Sequence, residues 1–182
     1  MLLSQYIEIS DEEWDHFSSM LRFKEVAKNE IIMSEGSMTT NIFFVIKGVL
    51  RTYFTNADGD EKTFHFSTEN NFAADYEGFL KRSPSQYTIQ ALEDSLIALM
   101  SIDVLNDAYK TLRYGEKLGR KLAEDHFFLW SDRIKDIYML TPMERYENMR
   151  RQYPDILKRV PQHYIASYLN ITPVHLSRLK KM

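Results

Sequence analysis

Near the end of the chain, Val174, His175, Ser177, Arg178, Lys180 and Lys181 are spaced so that a helix would turn them away from Leu176 and Leu179. Their chemistry suits contact with a DNA duplex. A guanidinium forks onto guanine, while Ser and Lys suit phosphates or base edges. Val174 cannot accept from cytosine N4 but packs on a thymine methyl.

Two short helices and a tight turn must hold that face. In the first helix, Ile165 and Leu169 lie four apart and share an apolar stripe. Ala166 is small where a second helix crosses closely. Asn170 falls at the turn, where it tolerates a left-handed backbone, and Ile171 plugs the junction. Thr172 is a good N-cap and Pro173 a good first helical residue, with Leu176 and Leu179 pointing inward. The blander alternative is a helical hairpin that only closes a core. Small residue, turn Asn, Thr-Pro start, paired Leu and outward Arg in one register favour the DNA-reading arrangement, with Thr172, Val174, His175, Ser177, Arg178, Lys180 and Lys181 as its contacts.

Charge is divided to match. From Thr141 onward eight Lys and Arg stand against three Asp and Glu, a net of +5, whereas residues 1–140 carry fifteen against twenty-three, a net of −8. An acidic body with a basic tail fits a duplex-binding module on a regulatory domain, and the overall charge of −3 argues against a nonspecific chromatin or membrane binder. The 182 residues include no cysteine, which removes disulfides, thiol catalysis and Cys-held zinc or iron–sulfur centres. The five histidines form no close pair, so neither a metal site nor another cofactor is expected. No apolar run approaches the ~20 residues that span a bilayer. The N-terminus lacks a basic region before its acidic turn, so a cytoplasmic chain without a signal peptide is expected.

Upstream, Asp11 to Leu21 reads as a helix capped by Ser10 with Glu13 three residues on. From Glu25 to Met100 the runs EIIMSEG, NIFFVIKGVLRTYF, EKTFHFS and YTIQALEDSLIALMS are strand-like, and Asn56–Asp60 is a hairpin candidate. Val104, Leu105, Ala108 and Leu112 fit a short helix. A long one follows, from about Gly115 to Leu140, in which Ala123, Phe127, Trp130, Ile134 and Ile137 repeat at four-three spacing. Leu118, Leu122 and Leu129 form a second stripe on it. Two stripes need two partners, so one is expected on the β body and the other on a second copy of the chain; the alternative buries both within one monomer. Thr141-Pro142 starts a further helix that Pro154 ends, and Asp155 to Lys158 is a short connection.

In this order of elements the chain resembles the cyclic-AMP receptor protein/Fnr (Crp/Fnr) family of bacterial transcription regulators. EGSMTTNIFFVIKGVLRTYF and NADGDEKTFHF resemble that family's β-roll hairpins, and PQHYIASYLNITPVHLSRLKK its helix-turn-helix. The resemblance implies an α+β fold with an N-terminal antiparallel β-roll, a double-stranded β-helix of the cyclic-nucleotide-binding type, flanked by helices. It divides the chain into an effector domain at 1–114, a connecting and dimerisation helix at 115–140 and a DNA-binding domain at 141–182. Implied partners are a palindromic DNA operator, a second copy, RNA polymerase and a small-molecule effector.

The family's phosphate-binding cassette aligns with FAADYEGFLKRSPSQYTIQAL, making Ala73, Ala74, Asp75, Tyr76, Glu77, Ser85, Gln86 and Tyr87 the implied pocket. Its ribose-gripping Gly-Glu pair falls on Ala73-Ala74 and its phosphate-neutralising Arg on Ser85. Buried phosphate needs a paired cation; Ser85 supplies none, and Lys81 and Arg82 lie at a loop tip. A shifted register would give the ribose role to Asp75 or Glu77, but the Arg stays missing. Cyclic AMP is therefore not expected to bind, and another effector, or none, is left open. A haem sensor would need His65, which as a lone strand His reads as structural. Many family members continue into a backbone-touching wing; ending at Met182, this sequence is expected to lean more on dimerisation.

Two other readings compete. The tail could dock protein on a small-molecule module, or the β region could be a metal enzyme of the cupin type. The second would need a His and carboxylate cluster where only His65 occurs, and no enzymatic activity is expected.

Overall fold

A computed structural model describes residues 3–181. The first helix, α1 (Asp11–Ser19), begins at a capping box in which Ser10 and Glu13 satisfy each other's backbone N–H groups. Eight strands follow, with one short helix among them: β1 (Arg22–Val26), β2 (Ile31–Met33), β3 (Asn41–Lys47), β4 (Leu50–Thr55), β5 (Glu61–Ser67), β6 (Phe72–Ala73), α2 (Tyr76–Lys81), β7 (Thr88–Ala91) and β8 (Ser95–Ser101). They form two antiparallel four-stranded sheets, ordered β1-β8-β3-β6 and β2-β7-β4-β5. Strands consecutive in sequence thus alternate between sheets, except at the β4–β5 hairpin over Asn56–Asp60. There the Asn56 side chain accepts from the N–H groups of Asp58 and Asp60. Gly48 makes the turn from β3 to β4 at φ +110°; a Cβ there would lie 2.1 Å from the Ser95 hydroxyl, so no other residue fits. The sheets close over Val26, Phe43, Val45, Leu50, Ile89 and Ile97.

The helical half starts with α3 (Ile102–Thr111), which buries Val104, Leu105 and Ala108, with Leu112 buried just beyond it. The long helix α4 (Gly115–Met139) crosses α3 closely, because Gly119 leaves room for the Tyr109 ring. A second capping box, Thr141 with Glu144, opens α5 (Pro142–Gln152). The stretch Asp155–Lys158, expected as a plain connection, instead mostly falls in one helical turn, α6 (Ile156–Arg159), whose Ile156 is buried in the tail's core. The chain ends in α7 (Gln162–Tyr168) and α8 (Pro173–Leu179). One apolar cluster joins Val49, Phe66 and Leu92 of the β-roll to Tyr153, Ile165, Tyr168 and Leu176 of the tail, so the tail is packed against the body. No helix among the described residues is long and apolar enough to cross a membrane.

Candidate functional site

The turn between α7 and α8 is built from backbone outward. Asn170 adopts φ +53°, the N–H of Ile171 reaches the carbonyl of Ala166 and that of Asn170 reaches Ser167. This is a Schellman closure with Asn in the left-handed place usually taken by Gly. Two buried arginines take up the carbonyls that it leaves: Arg145 Nε donates to Leu169 O at 2.9 Å, and Arg133 Nη2 donates to Tyr168 O. Neither was legible in the sequence, where an Arg within a polar helix reads as solvated.

Thr172 then caps α8, its hydroxyl accepting from the His175 N–H at 3.2 Å. Leu176 and Leu179 are buried, while Thr172, Val174, His175, Ser177, Arg178, Lys180 and Lys181 are all exposed. The free face of α8, with its caps Thr172 and Lys180 and the following Lys181, therefore presents a guanidinium, two ammonium groups, two hydroxyls, an imidazole and an apolar Val174. Such a set can meet phosphates and base edges together.

α7 is docked on the outer strand of the second sheet. Ser167 Oγ accepts from the Thr63 N–H at 2.9 Å and donates to Glu61 O at 3.1 Å. Beside it Arg51 is fully buried, with Nε on Thr63 Oγ1, Nη1 on Glu61 and its plane between the rings of Tyr53 and Tyr164, 4.0 and 3.8 Å from their centroids.

Against α4 the β-roll opens a cavity of about 560 Å³, lined by much of the stretch 72–87 but not by Ser85. Phe64 reaches it because β5 carries a bulge there: Thr52 pairs with His65 and Tyr53 with Thr63, leaving Phe64 unpaired. Its ring lies 4.1 Å from that of Trp130. Of the residues expected in the pocket, Ala73, Ala74, Asp75, Tyr76, Glu77, Gln86 and Tyr87 line the cavity. Ala73 ends β6, and Asp75, one of the two carboxylates that a shifted register would bring to the ribose position, is the N-cap of α2. Asp75 is buried and accepts from the Gly78 N–H, the Gln86 N–H and the Ser85 hydroxyl at 2.9–3.1 Å. Ser85 is thus a buried prop for a carboxylate. Arg82 closes α2 in a left-handed conformation, and Lys81 is ion-paired to Glu77. His65 Nδ1 meets the Tyr153 hydroxyl at 3.1 Å. Burial, with Arg133 and His126 nearby, pushes its pKa down to about 3, so it is neutral and structural.

Along α4 the two apolar stripes part company. Leu118 and Leu122 are buried on the body and Leu129 half-buried. On the other stripe Ala123 is exposed, Phe127 is 66% and Ile134 53% exposed, and Ile137 is half-covered. Trp130 departs from that stripe. Its indole turns inward onto Phe64 and Tyr87 and donates to His126 Nε2 at 2.8 Å, placing it in the cavity wall of its own chain.

Residues 23–111 match the family model described as the cyclic nucleotide-binding domain. No curated protein matches the chain in sequence. Among solved structures it is similar to a putative transcriptional regulator of the Crp/Fnr family from Eubacterium rectale, with a TM-score of 0.73 at 17% identity over 98% of this chain and 87% of that one. FixK2 from Bradyrhizobium japonicum gives 0.72 at 19% over 89% and 83%. The catabolite activator protein of Thermus thermophilus gives 0.62 at 15% over 99% and 84%. The fold shared with them is the β-roll of a cyclic nucleotide-binding domain continued by C-terminal helices.

Proposed function

We propose that the chain is a homodimeric, sequence-specific DNA-binding transcription regulator of the Crp/Fnr kind that does not answer to cyclic AMP. The carrying observation is the free polar face of α8, from Thr172 to Lys181, held in a capped register above the buried Leu176 and Leu179. Residues 1–114 serve as effector domain, 115–140 as dimerisation helix and 141–182 as DNA-binding domain. A second copy packs on Ala123, Phe127, Ile134 and Ile137, where burying each large side chain contributes roughly 1.5–3 kcal/mol. Two α8 helices then enter successive major grooves about 34 Å apart. The regulator works in the cytoplasm, and RNA polymerase is the partner its bound state would recruit or block. No catalytic role is assigned.

Cyclic AMP is refused on electrostatic grounds. Its phosphate would lose its hydration beside the Asp75 carboxylate, with a neutral hydroxyl at Ser85 in place of a guanidinium. Selection of random duplex DNA by the purified protein tests the reading. A palindrome with half-sites about 10 bp apart is expected, and no enrichment by the ligand-free or ligand-bound protein would sink it.

A further inference from the structure

The one ammonium or guanidinium group that lines the cavity among the described residues, that of Lys81, is ion-paired to a carboxylate. Among the described residues, the charged side chains that line it are Asp75, Glu77 and Lys81. Asp75 has its three hydrogen bonds within the protein, and the Lys81 ammonium lies 2.6 Å from Glu77. The two histidines add nothing: His65 is neutral, and His126 accepts the Trp130 indole N–H while burial holds its pKa below the ordinary value. The lining thus carries one net negative charge.

Much of the remaining wall is aromatic. Tyr76, His126, Trp130, Phe64 and Tyr87 form a continuous chain of rings with successive centroids 5.1, 6.2, 4.1 and 5.9 Å apart. Ring faces carry the negative lobe of the aromatic quadrupole, so they add to the field of the carboxylates. That field is already felt in the wall. The Tyr87 phenol is pushed up to about 12 by burial and then by Asp75 and Glu77. About 560 Å³ lies within the range of small-molecule sites and accommodates one or two fused rings with a short side chain.

We propose that this cavity takes a planar aromatic molecule that carries no negative charge, prefers one bearing an amine, and rejects anions of the same shape. The inference rests on reading the cavity as an effector pocket, but not on DNA binding. Stacking on the ring chain would supply the affinity, and the net negative wall the choice of charge.

A charge series on one ring system tests it. The full-length protein is titrated by calorimetry with tryptamine, indole and indole-3-acetate, which share the ring and differ in charge. Tryptamine is expected to bind best and indole-3-acetate worst, with on the order of tenfold between indole and its acid. Glu77→Gln removes an exposed carboxylate and frees the Lys81 ammonium beside it, and both changes should narrow the span between amine and acid. Trp130→Leu should weaken all three ligands, and the amine at least as much as the others, because the ring face that it removes also meets the cation. Because Glu77 is exposed, its variant reports even if the Trp130 variant misfolds. Equal binding of the three, tightest binding of the acid, or no binding of any at millimolar concentration overturns the proposal. The DNA selection is read independently, so failure here and failure of the regulator reading are told apart.

Discussion

Arg159 on α6 and Glu69 on the β5–β6 turn form a two-pronged pair, with Nη1 to Oε2 at 2.9 Å and Nη2 to Oε1 at 2.6 Å. Glu93, from the β7–β8 turn, closes on the same guanidinium from another side at 2.5 Å. Both carboxylates belong to the β-roll and the guanidinium to the tail, so this cluster and Ser167 fasten one half of the chain to the other. Replacing Arg159 by Ala should cost roughly 1–2 kcal/mol after solvent screening of these partly exposed groups. Limited proteolysis between Met139 and Val160 should accelerate. An unchanged digestion rate would mean that the apolar cluster alone holds the tail.

Acid should loosen this junction in two steps. His65 is neutral in the fold, with its pKa near 3 against an ordinary 6.5, so the unfolded chain binds the extra proton between those values. Its contribution is complete above pH 6.5 and falls away as pH drops toward 3. Glu69 is held at about 2 against 4.5, first by Arg159 and then by the Gly48 N–H, so its contribution is complete above pH 4.5 and is lost as pH approaches 2. Urea unfolding at stepped pH should show stability declining from 6.5 downward. His65→Gln should flatten the upper part of that slope and Glu69→Gln the lower part.

At the DNA, the cations on and just after α8 should separate by role. Arg178→Ala is expected to cost roughly 1–3 kcal/mol and relax preference at one base pair, whereas Lys181→Ala should weaken all sequences alike and lower the salt slope by about 1. Binding titrations at several salt concentrations on selected and scrambled duplexes distinguish the two. Identical behaviour of both variants would misplace the reading face.

Phe127 and Ile134 stand 66% and 53% exposed on one chain, so charging them costs the monomer little. The double substitution Phe127→Glu and Ile134→Glu should give a folded monomer by sedimentation and circular dichroism. Its operator affinity should fall by on the order of a hundredfold, since one reading helix then works alone. A dimer that survives would place the interface elsewhere.

The sequence made local features readable because their signals are local. The Ser10–Glu13 capping box, the Thr141-Pro142 helix start, the Asn56 hairpin, the bounds of α4 and the inward Leu176 and Leu179 depend on residues within a few positions of each other. What escaped was short or long-range. Six residues of α2 carry too little periodicity to announce a helix, and its cap, Asp75, reads equally as a turn. The four residues of α6 raise the same difficulty. Arg51 lies in a strand whose outer face would be solvated but for Tyr164, more than a hundred positions away. Trp130 fits the heptad spacing, yet the bulge at Phe64 offers its indole a closer partner on the β-roll. In the cassette, alignment suggested which residues would be near, but not that Asp75 and Ser85 would satisfy each other.

β5 is the outermost strand of its sheet, and Ser167 occupies the backbone groups that strand would otherwise present at Glu61 and Thr63. An open edge of this kind is a template on which another chain can add a strand. The docked helix therefore shields the molecule from self-association as well as holding its place. Any swing of the tail would have to keep that edge covered, or be brief enough to avoid aggregation.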